Sequence, residues 1–321
     1  MQTYGIEIES CGLTEEELKN VIESVEGLSY AGHFGYHGSR SLGLRSRENG
    51  TNHIWASERD GSLTNTAGRG MNHEVVTPLL YGKDGLKTAA KVMKGMSRAG
   101  AKVNKSCGTH VTLGVGNCFA RFKRMGARRK ALVAQNVVDI YTYFYAGLCD
   151  LVSPSRRQGS PSATVYGGWN YMDRCFVYQT WGTHDIKALE HNPGRGAVNL
   201  RSFQTSGIIE FRQHNGTLDG QKIGNWAQLM HRILSVTMNE NHPSYGVDVR
   251  HYTPDFEGLM YYLRVPATLQ RAFQARREEL DYGFKATRAN SPWLGVFWNA
   301  HWDFARAQGT YGYDNEAVAE V

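Results

Sequence analysis

The chain has 321 residues, 41% of them hydrophobic and 21% charged, which is near the composition of ordinary soluble proteins. No apolar run approaches the ~18–20 residues of a transmembrane helix, no signal-peptide pattern opens the sequence, and the five scattered cysteines form no C-x-x-C pair. A cytoplasmic protein with reduced thiols is therefore expected, a membrane protein or zinc ribbon is disfavoured, and the net charge of +6 favours anionic partners.

The first predicted elements are a strand and a capped helix. Residues 4–9 alternate in polarity, as strands do. Thr14 and Glu17 have the spacing of a capping box, so a helix is expected to begin there. Residues 32–51 are rich in Gly, Ser, Arg and His, which indicates a long loop or loose hairpin of the kind that often covers a site.

Further strands and helices follow without a regular order. Strands are predicted at residues 53–57, 74–80, 109–113, 197–203 and 207–214. Helices are predicted at 86–99, at about 127–151 and after the N-cap residue Asp219. Residues 153–162 have the composition of a loop, and helical chain is expected to continue to about residue 285.

This pattern favours one α+β domain with a largely antiparallel sheet. No regular βαβ spacing, internal repeat or Pro- or Ser-rich linker divides the sequence. Residues 1–321 are therefore predicted to form a single domain, in which residues from about 240 to 321 are a helical, Trp-rich C-terminal extension.

Four of the predicted strands carry ionisable side chains on one face. Residues two apart on a strand point the same way, so the polar faces carry Glu7 with Glu9, His110 with Thr112, Glu210 with Arg212, and Glu74. A solvated outer face is the ordinary explanation for any one strand, but lysine is absent from all four segments. Carboxylates gathered on one face repel each other unless cations lie between them, and oxygen ligands favour Mg²⁺ or Mn²⁺.

These residues lie in motifs that resemble a known family. In chain order the motifs are Gly5-x-Glu7-x-Glu9, Asp60-Gly61-Ser62-Leu63, Glu74-Val75-Val76-Thr77-Pro78, Cys107-Gly108-Thr109-His110-Val111, Asn199-Leu200, Ile209-Glu210-Phe211-Arg212 and Gly216-Thr217-Leu218-Asp219. The series resembles the amidoligase family of phages and bacteria, which is related to glutamine synthetase and glutamate–cysteine ligase. The resemblance extends from Gly5 to about Trp226.

The resemblance implies both a fold and a site. The fold would be a strongly curved, largely antiparallel sheet like the catalytic domain of glutamine synthetase. Helices would pack on its convex side, and ATP with two or three Mg²⁺ or Mn²⁺ ions would bind its concave face. The metal ligands implied are Glu7, Glu9, Glu74, His110 and Glu210. The implied nucleotide or acyl-phosphate contacts are Asn199, Arg201 and Arg212, and the implied catalytic residues are Asp60, Arg201 and Arg212.

The function implied is an ATP- and magnesium-dependent ligase that activates a carboxylate as an acyl phosphate and joins it to an amine. The sequence identifies neither substrate; nucleic acid is a candidate substrate or surface contact, a homo-oligomer is compatible, and no membrane partner is expected. A phage-encoded protein of this kind would act in the host cytoplasm. Thr112 departs from the pattern, since relatives often have a second histidine there.

Other interpretations stay open for the function and for two motifs. A phosphotransferase with a related sheet would form ADP and a stable phosphorylated product. A non-catalytic nucleic-acid-binding or virion-associated protein would use its basic surface and tolerate loss of Glu7 or Glu210. Cys107 is either a packed residue or a thiol nucleophile, and Ser155-Arg156-Arg157 is either a solvated loop or an anion clamp.

Overall fold

A computed structural model describes residues 2–39, 53–156 and 197–280 of the chain. The strands in these residues are β1 Thr3–Leu13, β2 Ser29–Phe34, β3 Ile54–Glu58, β4 Met71–Val76, β5 Leu80–Tyr81, β6 Thr109–Gly114, β7 Val198–Asn199 and β8 Ile208–Phe211. They form one open sheet in the order β2-β3-β4-β1-β6-β8-β7, with β5 also paired to β1. Only β2 and β3 pair in parallel among these strands, so the expectation of a largely antiparallel sheet is confirmed.

The helices of the described residues lie before, between and after the strands. They are α1 Glu15–Glu23, α2 Gly82–Arg98, α3 Val115–Cys118, α4 Ala127–Tyr143, α5 Tyr145–Cys149, α6 Phe203–Ser206, α7 Gly220–Met238, α8 Phe256–Tyr262 and α9 Ala267–Glu279. Thr14 forms the predicted capping box with Glu17, and the Asp219 carboxylate accepts hydrogen bonds from the first backbone N–H groups of α7. The helix predicted at 127–151 is present as α4 and α5, which are separated at Phe144.

The core lies between one face of the sheet and helices that include α2, α4 and α7. On the central strand β1, the side chains of Tyr4, Ile6 and Ile8 are fully buried and contribute to this core. Burial of a large aliphatic side chain stabilises the folded state by about 1.5–3 kcal/mol. These apolar side chains therefore determine which side of β1 faces the core. The alternate residues of β1 therefore occupy the opposite face.

The prediction of a strand over residues 197–203 is wrong beyond Asn199. β7 ends there, and the short helix α6 begins at Phe203. Gly207 ends α6 with a φ of 61°, a left-handed conformation that favours glycine, and the chain then returns antiparallel as β8. Arg201 therefore lies in the turn between β7 and α6 and not on a strand.

The prediction of a loop or loose hairpin at residues 32–51 is wrong at its start, because β2 extends to Phe34. Its side chains are all partly or fully exposed, so the strand lacks the alternation that marks a half-buried strand. Residues 40–52, most of the loop predicted at 153–162, and the Trp-rich tail lie outside the described residues. Among the helices that are described, none is both long and apolar enough to cross a lipid bilayer.

The pairing of β1 with β4 depends on two glycines at the turn end of these strands. Gly12 and Gly70 both have positive φ, and a Cβ atom on Gly70 would lie 2.5 Å from Leu13 O and from Gly12 C. The two backbones approach too closely for any side chain at Gly70. This contact helps to set the register that places β4 beside β1.

Gly70→Ala should therefore destabilise the fold by about 3 kcal/mol or more, because it adds a backbone clash to an unfavourable φ. Gly68→Ala is the matched control, since Gly68 also has positive φ (70°) but no described atom would approach its Cβ within 4 Å. Gly68→Ala should lower the free energy of unfolding by about 1 kcal/mol. Urea denaturation of both variants measures the difference, and equal costs would contradict the close approach of the two strands.

Candidate active site

The polar face of the sheet carries a continuous row of acidic side chains. Residues paired across neighbouring strands point to the same side, and Glu9 pairs with Glu74, which in turn pairs with Glu58. Glu7 pairs with His110 on the other side of β1. The predicted alternation on β1 therefore brings its two glutamates onto one face with residues from β3, β4 and β6.

Three of these residues form a group that could hold a metal ion. One ligand atom from each of Glu7, Glu74 and His110 lies within 4.8 Å of the other two. The Nδ1 atom of His110 lies 3.1 Å from Glu7 Oε2. Glu74 and His110 are buried and Glu7 is half-buried, so the group is open to solvent mainly at Glu7.

The surroundings of this group oppose the ionisation of Glu74. Burial is the largest cause that raises the pKa of Glu74 well above its ordinary value of 4.5, and the negative charges of Glu7 and Glu9 are the next. Asp60 and Glu58 act in the same direction. Glu74 therefore resists ionisation until a positive charge approaches it.

A second part of the site lies on β6, β7 and β8. Glu210 pairs with Thr112 on one side and with Asn199 on the other, so these residues share the polar face. The amide of Asn199 donates a 2.6 Å hydrogen bond to Glu210 Oε2, and Glu210 Oε1 lies 3.3 Å from His110 Nδ1. Glu210 thus joins this part of the site to the group around His110.

Arg212 is the cation next to these carboxylates. Its Nη1 atom donates to Glu210 Oε1 at 2.5 Å, and its side chain is one quarter exposed. Burial alone would lower the pKa of Arg212, but the charges of Glu210, Glu7 and Glu9 outweigh burial and raise it. Arg212 therefore remains a cation that solvent and an incoming anion can reach.

Glu9 differs from the other predicted metal ligands in its surroundings. Its carboxylate is almost fully buried, and its Oε2 accepts a short hydrogen bond from the backbone N–H of Gly108. Its Oε1 lies 3.4 Å from His110 Nε2, on the side of the ring away from Glu7. Protein groups therefore already surround both oxygens of Glu9.

The remaining predicted residues, Asp60 and Arg201, lie in turns that follow strands β3 and β7. Asp60 is half-buried in the turn after β3, where its carboxylate accepts the N–H of Ser62, and its charge contributes to the raised pKa of Glu74. Arg201 is exposed, and its backbone N–H donates to Asn199 Oδ1. The prediction that Asn199 and Arg201 are two apart on one strand is wrong, because the strand ends between them.

Sequence reasoning missed Glu58 and left Arg156 undecided. Glu58 ends β3, pairs with Glu74 and accepts hydrogen bonds from the backbone of His37 and Ser39. The strand predicted at residues 53–57 stops one residue before Glu58, and this position at the strand end was the available signal. Arg156 is only 1% exposed, so the interpretation as a solvated loop is wrong for this residue; Arg157 lies outside the described residues.

Cys107 is a packed residue. It is 1% exposed, and a Cβ atom on Gly216 would lie 2.5 Å from its own Cβ. Burial raises the pKa of the Cys107 thiol to about 11, so the thiol stays protonated at neutral pH. This environment disfavours a thiolate nucleophile.

Comparison with known proteins gives one family. A family model described as "Putative amidoligase enzyme" matches residues 1–138 and 150–234. The matched regions contain β1, β3, β4, β6, β7 and β8, and therefore every strand that contributes to the candidate site. No curated protein matches the chain.

The raised pKa of Glu74, caused by burial and by the neighbouring negative charges, predicts how stability depends on pH. Without divalent cations, the folded protein holds the Glu74 proton more tightly than the unfolded chain does. The free energy of unfolding should therefore fall as the pH rises above about 4.5, by at most about 1.4 kcal/mol per pH unit. Glu74→Gln should remove this contribution and be more stable than the wild type at pH 8 in EDTA.

Added Mg²⁺ or Mn²⁺ should reverse this order, because the wild type gains a ligand for its carboxylates and the variant has lost one. Glu16→Gln is the control, since Glu16 is an exposed carboxylate in the first turn of α1. Urea denaturation at several pH values, with and without cation, makes the comparison. Wild-type stability that responds to neither pH nor cation would contradict the raised pKa of Glu74.

Proposed function

The chain belongs to the amidoligase family, a name that implies amide-bond formation, and we propose that it is an ATP- and Mg²⁺-dependent carboxylate–amine ligase. In this proposal ATP converts a carboxylate to an acyl phosphate, and an amine then displaces the phosphate. The observation that supports it most directly is the group of Glu7, Glu74 and His110, whose ligand atoms meet within 4.8 Å.

The residues present fit a divalent cation. Carboxylate oxygens are the ligands that Mg²⁺ and Mn²⁺ prefer. A cation between Glu7 and Glu74 would offset the burial and the negative charges that together raise the pKa of Glu74. Glu210 would extend this ligand set, since it lies 3.3 Å from His110 Nδ1. Bound cations would neutralise the phosphate oxygens of ATP, which the carboxylates of this face would otherwise repel.

Arg212 would bind the transferred phosphoryl group. Its guanidinium is partly exposed, and its Nε is a buried donor with no hydrogen-bond partner among the described residues. A planar guanidinium offers a fork of donors that matches phosphate oxygens. Glu210 and the Asn199 amide that binds it would hold this guanidinium in position.

Asp60 would act on the incoming amine. An attacking ammonium must lose a proton, and a carboxylate beside the acyl phosphate can accept that proton or hold the ammonium in place. Asp60 lies close enough for its charge to raise the pKa of Glu74, and its turn leaves it half-buried at the edge of the site. Arg201, in the exposed turn after β7, would contact the nucleotide or the acyl phosphate.

The family match favours a ligase over a phosphotransferase or a non-catalytic nucleic-acid-binding protein. The buried carboxylates support the same choice. A solvated binding surface gains nothing from a glutamate such as Glu74, whose ionisation burial opposes. We therefore propose that the chemistry takes place on this face of the sheet.

A panel of carboxylates and amines, incubated with ATP and Mg²⁺, tests this proposal. One pair should release ADP and give a product whose mass is that of the two substrates minus water. Glu7→Gln and Arg212→Ala should each lower the rate by about 100-fold or more. The first would weaken the cation that neutralises the transferred phosphoryl group, and the second removes a guanidinium that would bind it. Arg98→Ala, at the end of α2 and exposed, is the control and should leave the rate unchanged.

Two results would contradict the proposal. ADP formed together with a stable phosphorylated product and no amide would indicate a phosphotransferase. Turnover that survives in Glu7→Gln and in Arg212→Ala would place the chemistry elsewhere in the chain.

A further inference from the structure

The outer side of helix α2 carries a row of lysines. Lys83, Lys87, Lys91 and Lys94 are all exposed, and their spacing places them on one face of the helix. The row is about 17 Å long, because an α-helix rises about 1.5 Å per residue. Among the described residues only Lys87 of this row has an ion-pair partner, the exposed carboxylate of Asp84. This face of α2 therefore has a net positive charge.

The opposite face of α2 packs in the core, so the lysine row lies on the outside of the helical layer and not on the acidic face of the sheet. Helices flank α2 on both sides. A Cβ atom on Gly95 would lie 2.8 Å from Val21 of α1, and one on Gly220 of α7 would clash with Ala90. The glutamates of α1 border the row on one side, whereas α7 contains no Asp or Glu.

A second basic segment covers residues 120–130. It consists of a 3₁₀-helix, Ala120–Arg124, and the first turn of α4. The exposed cations of this segment are Arg121, Lys123, Arg124 and Arg128. Arg121 pairs with Glu240 at 2.6 Å, and the structure shows no carboxylate from the described part of the chain paired with the other three.

The two basic segments belong to a part of the chain that lacks acidic residues. Residues 85–138 contain 12 Lys and Arg and no Asp or Glu, although the net charge of the whole chain is only +6. The rest of the chain is therefore net negative, and its carboxylates include those of the candidate active site. Positive and negative charge are separated along the sequence and on opposite sides of the sheet.

The two basic segments lie beside one another in the fold. The N–H of Gly82, at the start of α2, donates to Gln2 O at 2.8 Å, and the Gln2 amide lies 3.2 Å from His231 Nδ1. The His231 ring stacks on Phe119 with 5.5 Å between centroids, and Arg121 follows two residues later. Gln2 and His231, which carry no negative charge, therefore connect the segments into one surface. This basic surface is defined by the exposed residues Lys83, Lys87, Lys91, Lys94, Arg121, Lys123, Arg124 and Arg128.

We propose that the basic surface binds the phosphate backbone of a duplex nucleic acid, without regard to base sequence. A duplex carries about one negative charge per 1.7 Å of its axis, which complements an extended row of cations. The arginines of the surface add planar donors that match phosphate oxygens. The basic surface shares no residue with the candidate active site, so the inference does not rest on the proposed function.

The side chains of this surface favour a duplex over a membrane or a single strand. The large hydrophobic side chains that are exposed among the described residues are Tyr36, Val103 and Tyr261, and none of them belongs to the basic surface. A helix that binds a membrane surface needs an exposed apolar face. Proteins that bind single strands stack the bases on aromatic side chains. A duplex backbone requires only the charges that are present.

Fluorescence anisotropy of the full-length chain with a labelled DNA duplex of about 20 base pairs tests the proposal over about 50 to 300 mM KCl. The logarithm of the binding constant should fall linearly with the logarithm of the KCl concentration. The slope should be about −3 or steeper, since each neutralised phosphate contributes about −0.9. Duplexes of unrelated sequence should bind equally tightly. No binding at the lowest salt concentration, or a slope near zero, would overturn the proposal.

Paired variants with equal changes in net charge test the location. Lys91→Gln combined with Lys94→Gln should weaken duplex binding about 10-fold or more and make the slope shallower by about 2. Glutamine has a helix propensity close to that of lysine, so α2 should be retained, which circular dichroism checks. The control combines Lys102→Gln with Lys105→Gln, two exposed lysines beyond the end of α2 that is remote from Gln2. Equal losses in the two double variants would show an effect of net charge alone and overturn the proposal.

The second segment and the choice of partner have tests of their own. Arg124→Gln combined with Arg128→Gln should also weaken binding about 10-fold, and unchanged binding would overturn the continuity of the surface across Gln2. Tighter binding to phosphatidylserine vesicles, to polyglutamate or to the single strand than to the duplex would overturn the assignment to a duplex. Any of these failures would leave the ligase proposal standing, because its assay uses small carboxylates and amines.

Discussion

Repulsion between carboxylates on one face of a sheet governs the structure of this protein. The register of three neighbouring strands places Glu58, Glu74 and Glu9 side by side, and Glu7 lies next to them on β1. Burial strengthens this repulsion, because low-dielectric surroundings oppose charge and reduce its screening. The carboxylates of this face can all be ionised only with compensating positive charge, which Arg212 and Arg156 supply in part and a divalent cation would complete.

The apolar face of the sheet supports this arrangement. Side chains such as Ile6 and Ile8 are fully buried against helices, so the central strand cannot slip by one residue without turning its glutamates into the core. The close approach of Gly70 to the β1 backbone holds β4 beside it. Hydrophobic burial therefore supplies the free energy that keeps the acidic side chains together.

The sequence predicts the local parts of this site well. Two-residue alternation places Glu7 with Glu9 and Glu210 with Arg212, and the caps at Thr14 and Asp219 mark the starts of two helices, because these signals depend only on nearby residues. The partners of Glu58, the burial of Arg156 and the parallel pairing of β2 depend on contacts far apart in the chain. The periodicity of the sequence contains no information about such contacts. The end of β7 at Asn199 is set by a turn that the local composition did not indicate.

Anomalous diffraction from crystals grown with Mn²⁺ and a non-hydrolysable ATP analogue would test the central claim most directly. The account predicts a manganese peak about 2.0–2.2 Å from carboxylate oxygens of Glu7 and Glu74 and from a ring nitrogen of His110, with the analogue's phosphates on the same face. A manganese peak elsewhere, or none at this face while Glu7 and Glu74 point apart into solvent, would contradict it.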